Sequence, residues 1–210
     1  MEIVLVITLL IAGYLLGSIP TAVWWGQKYY GIDVREFGSG NAGATNTFRV
    51  LGKKAGIPVL IIDIVKGSLA VLLAFLSGYE FDSNEFVNLQ LALGMTALVG
   101  HVFPIFAGFR GGKGVATILG VVICLTPITS LLVLLVFLTV LLTTRFVSLS
   151  SITAGLSFPI FLNLVLKNQN ETLIIFSIFV ALLLVVTQKK NISRLFKKQE
   201  PKVNLFASKA

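Results

Sequence analysis

Long apolar runs alternate with short polar connections along the chain, and that alternation sets the first expectation. Residues 3–25, 56–77, 89–107, 115–144, 149–166 and 172–187 are apolar stretches. Most approach the roughly 20 residues that a helix needs to cross a hydrocarbon core about 30 Å thick. Residues 115–144 are too long for one helix and carry Pro127 near their middle. The pattern alone leaves open a single kinked span or a hairpin of two short ones.

Charge decides between them, because Lys and Arg gather on the cytoplasmic side of a membrane protein. The 26–55 connection carries Lys28, Arg35, Arg49, Lys53 and Lys54. The tail carries Lys189, Lys190, Arg194, Lys197, Lys198, Lys202 and Lys209. Both are expected inside. Residues 78–88 hold Glu80, Asp82 and Glu85 with no Lys or Arg, so they read as outside, and 108–114, with Arg110 and Lys113, read as inside. A single crossing at 115–144 would then strand Arg145 and the basic tail outside. Two crossings of about 12–16 residues each, turning near Pro127, return both to the cytoplasm. The expected fold is all-α: a polytopic integral membrane protein with seven transmembrane helices, N-terminus outside and C-terminus cytoplasmic. It reads as one domain over 1–210, with a basic cytoplasmic tail at 188–210. Residues 1–25 do not read as a signal peptide, because Glu2 stands where a basic segment would and the basic loop follows the apolar run.

Composition sharpens this picture. Of 210 residues, 56% are hydrophobic and 12% charged, and the mean hydropathy is +0.93. Seventeen Lys and Arg against nine Asp and Glu give a formal net charge of +8. A disordered chain, a secreted disulfide scaffold and a soluble nucleic-acid binder are excluded. The single cysteine, Cys124, sits in an apolar run, where a reactive thiolate is disfavoured.

Glycines and small polar residues concentrate in four places, all assigned to the cytoplasmic side. The first is 38–46, with Gly38, Ser39, Gly40, Asn41, Gly43, Thr45 and Asn46, followed by Arg49. Glycine turns expose successive amides, hydroxyl and amide side chains add donors, and arginine offers a planar fork for phosphate. The second is 108–114, where Gly111, Gly112 and Gly114 surround Lys113 just before a helix that carries Thr117. A lysine among glycines at a helix start suits a phosphate. It is not a nucleotide P-loop, because Gly114 stands where Ser or Thr should follow the lysine. The third is 145–151, from Arg145 through Ser148 and Ser150, where a serine either caps a helix or donates to an anion. The fourth is the tail, with Gln188, Asn191 and Glu200 among lysines that otherwise read as an anchor to anionic lipid.

Within the spans, Asp63 and Lys66 stand three apart and read as a structural ion pair supporting the first loop. His101, the only histidine, reads first as a hydrogen-bonded packing residue. Together these residues describe a phosphate-binding pocket on cytoplasmic loops that reaches the bilayer. Such a site suits joining a water-soluble phosphate ester to a lipid chain.

In this order the motifs resemble the PlsY family of membrane acyltransferases. The resemblance runs almost end to end: 17–20 in the first span, Asp33 and Arg35, 38–46 with Arg49 and Gly52, Asp63 with Lys66, Gly100 with His101 and Pro104, 111–117, 145–151, and 191–195 with Glu200. It implies transfer of a fatty acyl group from a long-chain acyl phosphate to the sn-1 hydroxyl of glycerol 3-phosphate, in the plasma (inner) membrane of a bacterium, with the active site facing the cytoplasm. It also implies that Ser39, Arg49, Lys113 and Ser148 hold phosphate groups, that Asn191 completes the site, and that glycines of both loops supply backbone donors. Asp63, Lys66, His101, Arg145 and Glu200 would support it. No metal, cofactor, nucleic acid or protein partner is implied. Two positions depart from the family pattern. Gln188 replaces a histidine and cannot titrate near neutral pH, and Lys198 replaces a glycine two residues before Glu200. An anion or phosphate-ester transporter is the alternative, since cationic glycine-rich sites also line permeation paths.

Overall fold

A computed structural model describes residues 2–166 and 170–203, and all regular structure among them is helical. The tail position Lys209 lies outside the described residues. The chain divides into two compact units, Met1–Leu125 and Thr126–Ala210.

The first unit contains α1 (Glu2–Gly17), α2 (Thr21–Tyr30), α3 (Ala44–Leu51), α4 (Lys53–Leu72), α5 (Asn84–Val102) and α6 (Val115–Leu125). The first apolar stretch is therefore two helices, not one. Pro20 has no amide hydrogen, and its ring disfavours helical geometry at the preceding Ile19. The freed Ile19 carbonyl accepts from Thr21 N at 3.0 Å and from the buried Lys66 Nζ at 2.8 Å. A cation from α4 thus satisfies the break.

α1 packs on α5 and α4 packs on α6. Between α4 and α6 the backbones touch: a Cβ on Gly67 would strike the Thr117 carbonyl, and one on Gly120 the Ile64 carbonyl. Small residues allow such approach where lipid supplies no hydrophobic drive between helices. Leu9, Ala74, Phe86, Leu89 and Leu93 form one core cluster, and Ala22, Val34 and Val59 form another that seats the connection after α2.

The second unit contains α7 (Pro127–Thr144), α8 (Val147–Leu166), α9 (Glu171–Thr187) and α10 (Lys189–Phe196). Residues 115–144 do break beside Pro127: Thr126 is non-helical at φ −142°, and Pro127 begins α7, where its missing amide is harmless. The two pieces are unequal, however, with 11 residues in α6 and 18 in α7, rather than two similar short spans. α7 packs on α8, α8 on α9, and α10 touches both α8 and α9. α9 and α10 meet at a 58° bend.

Helix exteriors carry aliphatic stripes. α4 exposes Ile57, Ile61, Val65 and Leu69, and α7 exposes Leu131, Leu135, Leu138 and Leu142. Contiguous apolar faces of this length fit lipid rather than water. Among the described residues, five stretches are long and apolar enough to cross a membrane: Glu2–Tyr30, Lys53–Leu76, Asn84–Ala107, Pro127–Thr144 and Val147–Val165. The bent α9–α10 pair makes a sixth if counted as one span.

Candidate active site

In the first unit, Asp33 builds the connection from α2 to α3. Its Oδ1 accepts from Arg35 N at 2.9 Å, capping the turn Val34–Glu36, and its Oδ2 pairs with Arg35 Nη2 at 2.7 Å. The Arg35 hydrogen bonds hold the Asp33 carboxyl below its usual range, and the same pairing raises the Arg35 pKa. Arg35 Nη1 also donates to the carbonyls of Ala107 at 2.8 Å and Arg110 at 3.1 Å. One arginine thereby clasps both glycine-bearing connections. Its charge places it among the topology cations and the family resemblance among the motif positions, and neither shows this clasp; the legible signal is the Asp33-x-Arg35 spacing, which lets one carboxylate cap a turn and pair with the arginine inside it.

Asn46 organises 38–46 from within. Only 1% exposed, it donates from Nδ2 to the carbonyls of Val34 at 2.8 Å and Phe37 at 3.1 Å. Its Oδ1 accepts from Ser39 N at 2.8 Å and Ser39 Oγ at 3.1 Å. Asn46 is therefore a staple inside the loop rather than a ligand donor, because both amide hydrogens are committed. Gly38, at φ +63°, makes the turn that brings Ser39 back over it. Ser39, Thr45 and Arg49 remain exposed around this loop, while Asn41 and Gly43 are half-buried.

The glycine amides are also less available than the sequence suggests. Gly40 N donates to Phe37 O, Gly111 N to Val102 O and Gly112 N to His101 O, each at 3.1 Å. These three amides shape the loops. Lys113, half-buried, stands between Gly112 and Gly114, and the Gly114 carbonyl takes the Ile118 amide at 2.8 Å to open α6. Thr117 does not belong to the loop surface: it is fully buried, with its carbonyl against Gly67.

Beneath the loops lies a buried polar cluster. Asp63 Oδ1 accepts from Lys66 Nζ at 2.9 Å and Thr21 Oγ1 at 3.0 Å, and His101 Nδ1 stands 3.8 Å from it. The expected Asp63–Lys66 pair is present, and it is tied to the α1–α2 break through Thr21 and the Ile19 carbonyl.

In the second unit, Glu200 is the organiser. Its Oε1 accepts from Ser148 Oγ and from Asn191 Nδ2, both at 3.0 Å, and its Oε2 accepts from Arg194 Nε at 2.7 Å. The chain then runs on to Val203, whose amide donates to the Arg145 carbonyl at 2.9 Å. Lys202 Nζ lies over the Phe146 ring at 5.5 Å from its centre. Ser150 and Ser151 bond back to carbonyls of Phe146 and Val147, so neither caps α8. Gln188, 4% exposed, sits at the α9–α10 bend, where its carbonyl accepts from Ile192 N at 2.8 Å.

Known proteins place this arrangement. The family model described as glycerol-3-phosphate acyltransferase matches residues 7–198. The chain belongs to the glycerol-3-phosphate acyltransferase family. A relative of that name from Chlorobaculum parvum is 42% identical over 216 residues, covering 90% of this chain and 93% of the relative. One from Bacillus cytotoxicus is 46% identical over 196 residues, covering 93% and 94%. The crystal structure of PlsY, an integral membrane glycerol 3-phosphate acyltransferase, in its glycerol 3-phosphate form superposes with a TM-score of 0.83 at 38% identity, covering 96% of this chain and 99% of that chain. Its lysophosphatidic acid form gives 0.81 at 39% identity. The transporter alternative is not favoured by these matches.

For a glycerol-3-phosphate acyltransferase, the geometry gathers the motifs in two groups. The first unit joins Ser39, Asn46 and Gly38 in one loop, and Gly111, Gly112 and His101 in another, with Arg35 clasping the two connections. The second unit joins Ser148, Asn191 and Glu200.

Proposed function

We propose that this acyltransferase moves a fatty acyl group from a long-chain acyl phosphate to the sn-1 hydroxyl of glycerol 3-phosphate. The products are 1-acylglycerol 3-phosphate and inorganic phosphate, the first acylation of phospholipid biosynthesis. The observation that carries the reading is the end-to-end likeness to PlsY, a protein solved in a glycerol 3-phosphate form and a lysophosphatidic acid form. Those ligands are the acceptor and the product of the proposed reaction.

Acyl phosphate is a mixed anhydride, so its carbonyl is already activated. The acceptor hydroxyl forms the new ester C–O bond, the bond from the carbonyl carbon to the bridging phosphate oxygen breaks, and phosphate leaves with the electron pair. The protein's work is to align two anionic substrates and to stabilise the developing negative charge. Ser39, Arg49, Lys113 and Ser148 are assigned to phosphate groups, and Asn191 to completing the site, with Glu200 in support. Transfer is direct. The hydroxyl of Ser39 faces Asn46 Oδ1, an amide oxygen too weakly basic to activate a nucleophile. With Gln188 in place of a histidine, a substrate phosphate oxygen takes the proton. Seven crossings, counting α6 and α7 separately, place the N-terminus outside, the tail in the cytoplasm and the loops on the cytoplasmic face of a bacterial plasma membrane. The positive-inside distribution supports that topology.

Replacing Lys113 by Ala tests the assignment. Acyl transfer from acyl phosphate should fall by about a hundredfold or more, the size of effect seen when a preorganised donor to a developing charge is removed. Unchanged turnover in that variant contradicts the assignment.

A further inference from the structure

His101 was expected to be a packing residue, but its surroundings give it a more specific task. The ring stands between the buried ion pair and the second glycine loop. Its Nδ1 faces Asp63 Oδ1 at 3.8 Å, and Asp63 is itself held by Lys66 at 2.9 Å and Thr21 at 3.0 Å. On the other side, Nε2 lies against Gly112 so closely that a Cβ there would collide with it. The same histidine accepts the Gly112 amide on its main-chain oxygen at 3.1 Å. Ring and backbone of one residue therefore grip one glycine.

Lys113 follows directly. On its other side the chain is pinned at Gly114, which accepts the Ile118 amide at 2.8 Å and packs on the Leu98 side chain. Between these two fixed points the lysine backbone has little freedom. Gly112 also approaches the Ala42 carbonyl, so its placement registers the second loop against the first. A lysine is a flexible point charge whose usefulness for phosphate depends on where its stem begins.

We propose that His101 is a positioning residue for Lys113: seated between Asp63 and Gly112, the imidazole sets the backbone of 111–114 by packing against Gly112, so that the ammonium meets a substrate phosphate. The proposal rests on the assignment of Lys113 to phosphate. Removal of the ring leaves Asp63 with Lys66 and Thr21, and leaves α6 anchored at Gly114, so the loop shifts while the unit stays folded.

Equilibrium titration of inorganic phosphate into the purified full-length protein in detergent tests this without requiring acyl transfer. Four proteins are compared: the unsubstituted chain, His101→Ala, Lys113→Ala and the double variant. His101→Ala should weaken phosphate binding about fivefold, less than the loss of a charge-assisted hydrogen bond because the ammonium is displaced and not removed, and should keep its unfolding midpoint within a few degrees. In the Lys113→Ala background the histidine substitution should change nothing further. Where His101→Ala does not yield folded protein, His101→Val, which fills part of the buried space but is too short to reach from Asp63 to Gly112, carries the comparison. Unchanged phosphate affinity in the histidine variant overturns the proposal, as does a penalty that persists without Lys113. Unchanged affinity in Lys113→Ala overturns the phosphate assignment beneath it.

Discussion

Lys198 occupies a left-handed conformation, at φ +54°, at the turn that follows α10. The amides of Lys198 and Gln199 close that turn on the carbonyls of Leu195 at 3.0 Å and Arg194 at 2.8 Å, the pattern by which helices commonly end on a glycine. An L side chain in this region costs about 1 kcal/mol or more, and the turn persists because it delivers Glu200 to Ser148, Asn191 and Arg194. Lys198→Gly should therefore raise stability by about 0.5–1 kcal/mol, after allowing for the extra freedom that glycine gives the unfolded chain. Thermal unfolding in detergent reads it, and a lowered midpoint would show that the lysine side chain matters more than the backbone strain.

At the level of elements, two junctions carry the first unit. Asp63 and Lys66 are 1% and 3% exposed, so removing one partner leaves an uncompensated charge in an apolar bundle. Asp63→Asn alone or Lys66→Met alone should destabilise by about 3 kcal/mol, and the double replacement by less than the sum. Additive losses measured by unfolding would mean that the two side chains act separately. The second junction is Gly112 beneath the His101 ring. Gly112→Ala should cost about 2 kcal/mol by overpacking, and adding His101→Ala should recover part of it, since the methyl group then enters the space left by the ring. A Gly112→Ala protein as stable as its parent would contradict the close contact.

Across the whole molecule, what could be read from sequence followed the physics that sequence records directly. Apolar run length gives α8 and α9 nearly to their ends and α4 and α5 only to within three to five residues at each end, and Pro127 marks the break at Thr126. The division of Glu2–Tyr30 at Ser18–Pro20 was not legible from hydropathy, because both halves are apolar and the break is satisfied by Lys66, 47 residues away. The i,i+3 spacing foretold the Asp63–Lys66 pair. By contrast, Asn46 and the Gly40, Gly111 and Gly112 amides were read as ligand donors because composition shows how many donors a loop has, not which ones its own carbonyls engage. The Glu200 contacts are not legible either, since Lys198 stands where a glycine would signal the turn that brings the carboxylate to Ser148 and Asn191. The basic excess of the chain likewise separates by place: Lys189, Lys190, Lys197 and Lys198 lie in and just after α10, while Arg49 and Lys113 stand beside the polar loops. Acyl transfer to glycerol 3-phosphate stands or falls on the identity of the donor, and one assay separates the two donors. Membranes containing the protein are supplied with glycerol 3-phosphate and either a long-chain acyl phosphate or the corresponding acyl-CoA. Lysophosphatidic acid should form with acyl phosphate and not with acyl-CoA; product from acyl-CoA instead, or from neither donor, would contradict the account.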